Sequence, residues 1–223
     1  MKQSWSLKAL RSYILLNRNK EQSLLDLVNS IDRGIGIFRY HFFTAKDSLA
    51  DFFDPKEAAK NEQIRRVLGV ANDQEEFQTA KIVNEANTIA AIYTVRSLYD
   101  LFAQLVRGLF LEDTLSESAC NIHRVRKHLS ESGLKSAIEN VLDSDGFKYI
   151  DAFANVSKHR SLIKYGSRVD LVNERSGVKF SAFEYREQQF PELWSDEILE
   201  KILKTKNDIV TAGIALNHEL LSR

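Results

Sequence analysis

The chain has 223 residues, 43% of them apolar, which is ample for a full core. Its 31 basic and 31 acidic residues cancel, so no global field draws it to nucleic acid or anionic lipid, and any such binding needs a local patch. A single cysteine, Cys120, excludes an internal disulfide and fits a reducing cytosol; no apolar run approaches the ~18 residues of a membrane span, and the N-terminus lacks a signal peptide's apolar stretch, so a soluble, cytoplasmic protein is expected.

In chain order, Ser4 to Leu16 reads as a short amphipathic helix. Gln22 to Phe53 reads as a longer one, with Leu24, Leu25, Val28, Ile31, Ile35, Phe38 and Phe42 at helical spacing and Gly34 and Gly36 as a point of division. Asp54 as N-cap and Pro55 open a helix to about Leu68, which Gly69 closes. Asp73 to Leu111 is helical almost without pause, ~58 Å if straight, so a bend or break is expected near Asn84 to Asn87. Its second half is apolar nearly all round apart from a narrow stripe of Ser97, Asp100, Gln104 and Arg107. Ser116 or Ser118 caps a helix to about Ser130, Ser132-Gly133 interrupts it, and Leu134 to Leu142 resumes. Asp143-Ser-Asp145-Gly146 is a turn, after which a helix runs to Ile163.

Beyond Gly166 the period changes to that of strands. Arg168 to Asn173 and Val178 to Tyr185 flank Glu174-Arg-Ser-Gly177, a hairpin turn signal, and a hairpin this small must pack on the helices through Phe180 and Phe183. Pro191 and Trp194 lead into Ser195-Asp-Glu, an N-cap with an acidic first turn, and a closing helix. The expected architecture is one mainly α domain over 1–223: N-terminal helices in 1–70, central helices and a motif helix in 73–165, a β-hairpin in 166–187 and the closing helix in 191–222.

Standard catalytic signatures are missing. The nine glycines are scattered, so no phosphate loop forms, and no Glu-x-x-His or His-x-x-x-His pair occurs. Cys120 and His123 are three apart without a third ligand nearby, and no metal or cofactor is expected. Polar chemistry concentrates instead in Asp151 to Arg160. Asn155 and His159 lie one helical turn apart, Asp151 and Lys158 share their stripe, Arg160 follows, and Phe147, Ile150, Phe153, Ala154, Val156 and Ile163 flank it. Arg96 and Asp100, four apart, form an ion pair that either fixes helix register as a buried contact or sets Asp100 to hold the His159 imidazole. His123-Arg124-Val-Arg126-Lys127-His128 is the one strongly basic patch. It reads as a solvated face or as a grip on RNA phosphates by Arg124, Arg126 and Lys127.

The order of a central helix bearing Tyr-Thr-Val-Arg96-Ser-Leu-Tyr-Asp100-Leu, a later helix bearing Asn155-Val-Ser-Lys158-His159-Arg160, a hairpin and a closing helix resembles the HEPN superfamily, in particular its divergent bacterial members. The resemblance implies a helical bundle that dimerises. In active members an Arg, four to six residues and a His form a ribonuclease site shared across the dimer. Asn155 and His159 match the end of that motif, whereas Ala152, Phe153 and Ala154 fill the positions for its arginine. Three readings follow. The first is a nonenzymatic interaction or regulatory homodimer with an RNA or protein partner, in bacterial defence or a toxin–antitoxin setting. The second is a metal-independent ribonuclease with His159 as general base, assisted by Asn155 and Lys158, with Lys158, Arg160 or Arg96 supplying the charge. The third is a small-ligand sensor using Ser97, Asp100 and Gln104.

Overall fold

A computed structural model describes residues 4–17, 21–53 and 57–222, without the side chains of residues 21 and 57–59. The chain is mainly α with small antiparallel sheets near its C-terminus. The helices are α1 (Leu7–Asn17), α2 (Glu21–Asp47), α3 (Glu57–Leu68), α4 (Gln74–Phe110), α5 (Ile122–His128), α6 (Gly133–Asp143), α7 (Asp145–His159) and α8 (Ser195–Leu221). Between the last two lie β1 (Tyr165–Asp170), β2 (Arg175–Phe180), β3 (Phe183–Tyr185), β4 (Gln188–Phe190) and β5 (Leu193–Trp194). The backbone gathers into two compact units, the first from the described residues of Met1–Ile37, Thr94–Ile150 and Leu203–Arg223, the second from Phe38–Tyr93 and Asp151–Ile202.

In the first unit, α2 and α4 approach closely at two glycines. A Cβ on Gly34 would stand 2.8 Å from Leu98 Cδ2, and one on Gly108 would stand 2.7 Å from Leu24 Cδ2. Ten residues forward on α2 are ten back on α4, so the helices run antiparallel. Gly34 therefore serves as a seat for Leu98, and α2 continues unbroken through Gly34 and Gly36 to Asp47. Leu10, Ile14, Val28, Ile31, Leu98 and Phe102 form the buried seam. Trp5 joins it edge-on to Phe102 at 5.8 Å, and its indole Nε1 donates to Asn217 Oδ1 of α8 at 3.2 Å. Tyr99, also fully buried, donates its hydroxyl to the Thr205 carbonyl at 2.8 Å, which satisfies the one polar atom that its burial would strand.

The second unit is organised around Asn84, 2% exposed. Its Nδ2 donates to the Ala45 carbonyl of α2 at 2.7 Å, while its Oδ1 accepts from Tyr165 Oη of β1 at 2.8 Å and from Ser195 Oγ of α8 at 2.7 Å. One side chain thus ties four elements together. The amide reaches outward instead of competing for its own helix, so α4 runs through residues 84–87 without the expected break. One turn on, Asn87 accepts from His41 Nδ1 at 2.8 Å. Phe77 and Val178 are buried together with Leu49 and packed on by Phe52, Phe53 and Tyr165.

The hairpin is present, but its turn lies elsewhere. β1 pairs β2 from Tyr165↔Phe180 to Asp170↔Arg175, so the turn is Leu171 to Glu174. The Asp170 carboxylate holds it by accepting from the Val172 and Asn173 amides at 3.0 Å each, and Glu174 adopts φ 48. Gly177 instead faces Trp194: a Cβ there would sit 3.1 Å from the indole. β5 adds Trp194 to the sheet opposite Lys179, and the ring takes Arg175 and Lys179 as cation partners at 4.6 and 4.2 Å. Phe180 packs on Phe153 of α7 at 5.5 Å, and β3 and β4 form a second small sheet in which Phe183 stacks on Phe190 at 5.0 Å.

Helix boundaries differ at further points, and α2 ends at Asp47 instead of Phe53. Leu111 to Glu117 is held by α4, since Gln104 Nε2 donates to the Glu117 carbonyl and Arg107 Nε to that of Leu115, so only a 3-10 turn (Glu117–Ala119) follows Ser116. α5 starts later, capped by Asn121, whose side chain accepts from Arg124 N at 3.0 Å. α7 closes at His159, where Ser161 N donates back to the Val156 carbonyl, and Ile163 is buried in the connection to β1. Ser195 is the first residue of α8 instead of its cap: its hydroxyl is spent on Asn84, and Glu197 accepts from Trp194 N at 2.9 Å. Pro191 precedes β5, four residues before the helix. Gly69, with φ 77, closes α3 as a left-handed cap, whereas Asp54 and Pro55 lie outside the described residues.

Candidate functional site

The stripe from Asp151 to Arg160 lies in the second unit, on the last turns of α7. Ala152, Phe153, Ala154 and Val156 are buried against the unit's interior, and Phe153 meets Phe180 and Phe183 edge-on. That burial turns Asp151 and Asn155 to a half-buried margin and Lys158, His159 and Arg160 to solvent. Asn155 Nδ2 donates to the Asp151 carbonyl of its own helix at 2.7 Å, so the amide is spent locally. Arg160 Nη1 reaches the Glu184 carbonyl of β3 at 3.3 Å. His159 is exposed and, among the described residues, makes no hydrogen bond or ion pair. Asn155 and His159, one turn apart on α7, are therefore not joined by a hydrogen bond. A cation at a helix C-terminus also complements its dipole, a structural use that Lys158 fulfils without any ligand.

Arg96 and Asp100 lie in the first unit, with Nη1 to Oδ1 at 2.7 Å. The Asp100 side chain is 56% exposed, so this is a solvated i,i+4 pair on the open face of α4, worth about 0.3–0.5 kcal/mol, and not the buried register contact that the sequence invites. Arg124, Lys127, His123 and His128 are exposed on α5 while Ile122 and Val125 anchor it; Arg126 is half-buried. Among the described residues Arg124, Arg126 and Lys127 enter no ion pair, which leaves a basic face open. Burial pushes the Cys120 thiol up to about 11, only partly opposed by Arg107, so it stays protonated and is no nucleophile at neutral pH.

Two groups that carry structure or chemistry give little sign of it in the sequence. Asn84 marked a break, although an asparagine in an apolar stretch is also the signal of a buried polar tie. Arg107 reads in the sequence only as a member of the α4 stripe. It lines a cleft of about 290 Å³ in the first unit, together with Gln104 and residues of α2. No helix among the described residues is long and apolar enough to cross a membrane. Comparison with family models, with curated proteins and with solved structures returned no match.

Proposed function

We propose that the chain is a HEPN-like, nonenzymatic interaction module, a cytoplasmic homodimer that engages an acidic protein surface or RNA in a regulatory setting such as bacterial defence or a toxin–antitoxin pair. The observation that carries this reading is the state of α7: Asn155 is committed to its own backbone, and His159 stands exposed without a group to orient it. A general base for ribose 2′-hydroxyl activation has to be positioned, and a cation has to converge on the phosphate. Ala152, Phe153 and Ala154, at the positions where the resemblance implies an arginine, are instead buried. The open cations of α5, Arg124 and Lys127, supply the partner surface.

The rival reading, a ribonuclease centred on His159, draws on the exposure of Lys158, His159 and Arg160 together. Incubation of the purified protein with single-stranded RNA in EDTA separates the two. The expected result is no cleavage by wild type or by His159→Ala, with both melting at the same temperature. Metal-independent cleavage by wild type that His159→Ala abolishes would overturn the interaction reading. Light scattering at micromolar concentration is expected to show twice the 25.6 kDa chain mass, and a monomer alone would remove the homodimer from the proposal.

A further inference from the structure

The outer face of α2 carries apolar side chains that its own chain does not cover. Leu24, Val28, Ile31, Phe38 and Phe42 form the buried stripe of this helix. On the opposite face stand Ile37, Tyr40 and Phe43, which are 43%, 66% and 50% exposed, with Gly36 among them. A Cβ added at Gly36 would meet nothing within 4 Å, so the backbone there is bare. Arg33 bounds this face on one side and Asp47, the last residue of α2, on the other; both are exposed, and among the described residues neither side chain enters an ion pair or hydrogen bond. The two charges stand about four turns, ~21 Å, apart on one unbroken helix, too far to pair with each other.

We propose that this face is where two copies of the chain meet, with their α2 helices packed antiparallel about a twofold axis beside Tyr40. The inference rests on the homodimer reading above and names its surface, which contains no residue of α7. The charge pattern selects a second copy as the occupant. Arg33 and Asp47 lie seven residues to either side of Tyr40, so an antiparallel copy centred there sets Arg33 of each opposite Asp47 of the other. A parallel copy would set like charges together, and a foreign helix would need the matching spacing by coincidence. At about 100° per residue, Gly36 and Phe43 fall roughly 40° and 60° to the same side of Tyr40. The twofold keeps that side common to both helices, so the Phe43 ring of one copy comes down on the bare backbone at Gly36 of the other. Ile37 falls to the other side and closes the seam against the Tyr40 ring of the second copy.

Sedimentation equilibrium of the full chain from about 1 to 100 µM tests it. Wild type is expected to dimerise, and Tyr40→Glu, which brings two carboxylates together at the axis, to weaken the dimer about tenfold or more. Arg33→Glu and Asp47→Lys should each weaken it about tenfold, and the double variant, which exchanges the charges, should return to within about threefold of wild type. Gly36→Gln, unopposed in the single chain and a better helix former, should keep the helical signal while weakening the dimer several-fold, because it fills the seat of Phe43. All four positions are exposed, so each variant should match wild type in circular dichroism, and should Tyr40→Glu fail to fold, the charge exchange decides alone. A wild type that stays monomeric at about 100 µM would overturn both this surface and the homodimer. A dimer unaffected by Tyr40→Glu or by the single charge changes, or a double variant no tighter than the singles, would overturn this surface alone and place the dimer contact elsewhere.

Discussion

Single side chains do much of the joining in this protein, and Asn84 does the most. Its three hydrogen bonds reach Ala45, Tyr165 and Ser195; Ala45 and Ser195 share its burial, and Tyr165 is half-buried. Deleting the amide leaves two hydroxyls and a carbonyl short of a partner. Asn84→Ala should therefore lower stability by about 2–4 kcal/mol in urea denaturation, and a loss below ~1 kcal/mol would show that the tie is dispensable. Arg66 and Asp73 make a different kind of joint: Nε and Nη2 grip both carboxylate oxygens at 2.6 to 3.0 Å, while Nη1 takes the Phe52 carbonyl at 3.0 Å. The hydrogen bonds from Arg66 hold the Asp73 carboxyl below its ordinary value. The stability so gained is present above the unfolded-chain value of about 3.9 and is lost as pH falls through the lower folded value. Asp73→Asn should accordingly flatten the acid limb of stability measured from pH 5 to pH 2, and an unchanged slope would count against the pair.

At the scale of elements, the hairpin illustrates how a local signal is reassigned by a distant partner. Glu174-Arg-Ser-Gly177 carries turn residues, but Asp170 builds the turn earlier by collecting two backbone amides. The glycine is needed for a close approach, with Trp194 lying across the strand between Arg175 and Lys179. Gly177→Val should push the indole off β2, cost about 1–3 kcal/mol and red-shift Trp194 fluorescence in a Trp5→Phe background. Unchanged emission and stability would mean that the ring is not seated there. The same logic explains α4: Asn84 and Asn87 look like helix breakers by propensity, yet each finds a partner on α2, through the Ala45 carbonyl and His41.

For the whole molecule, both compact units are assembled from separated stretches of chain, the first from three and the second from two. The closing stretch from Leu203 onward supplies Ile209, Ala212 and Leu216 to the first unit's interior, accepts the Tyr99 hydroxyl at Thr205 and receives Trp5 at Asn217. A chain cut after Ile202 should therefore lose cooperative thermal unfolding of its helical signal, because long-range contacts and not local propensity hold the N-terminal helices. A truncated protein that melts as sharply as the full chain would contradict this.

Helical periodicity in Leu24, Val28, Ile31 and Phe38, or in Ile198, Ile202, Ile209 and Leu216, already determined that the chain is mainly α, because a face repeating every three to four residues must be buried as a helix. Change of period after Gly166 likewise marked the strands, and Gly69 marked the end of α3, since these depend on residues close in the chain. The basic face of α5 was legible for the same reason. What only the tertiary structure decided depends on residues far apart: that Gly177 lies beneath Trp194, that Asn84 is a tie, that Asn155 folds back on its own helix while His159 stands open, and that Arg107 faces a cleft. Hydrogen-bond partners and solvent exposure are properties of the packed chain, and a polar residue in a sequence carries the same chemistry whether packing gives it a partner or leaves it to water.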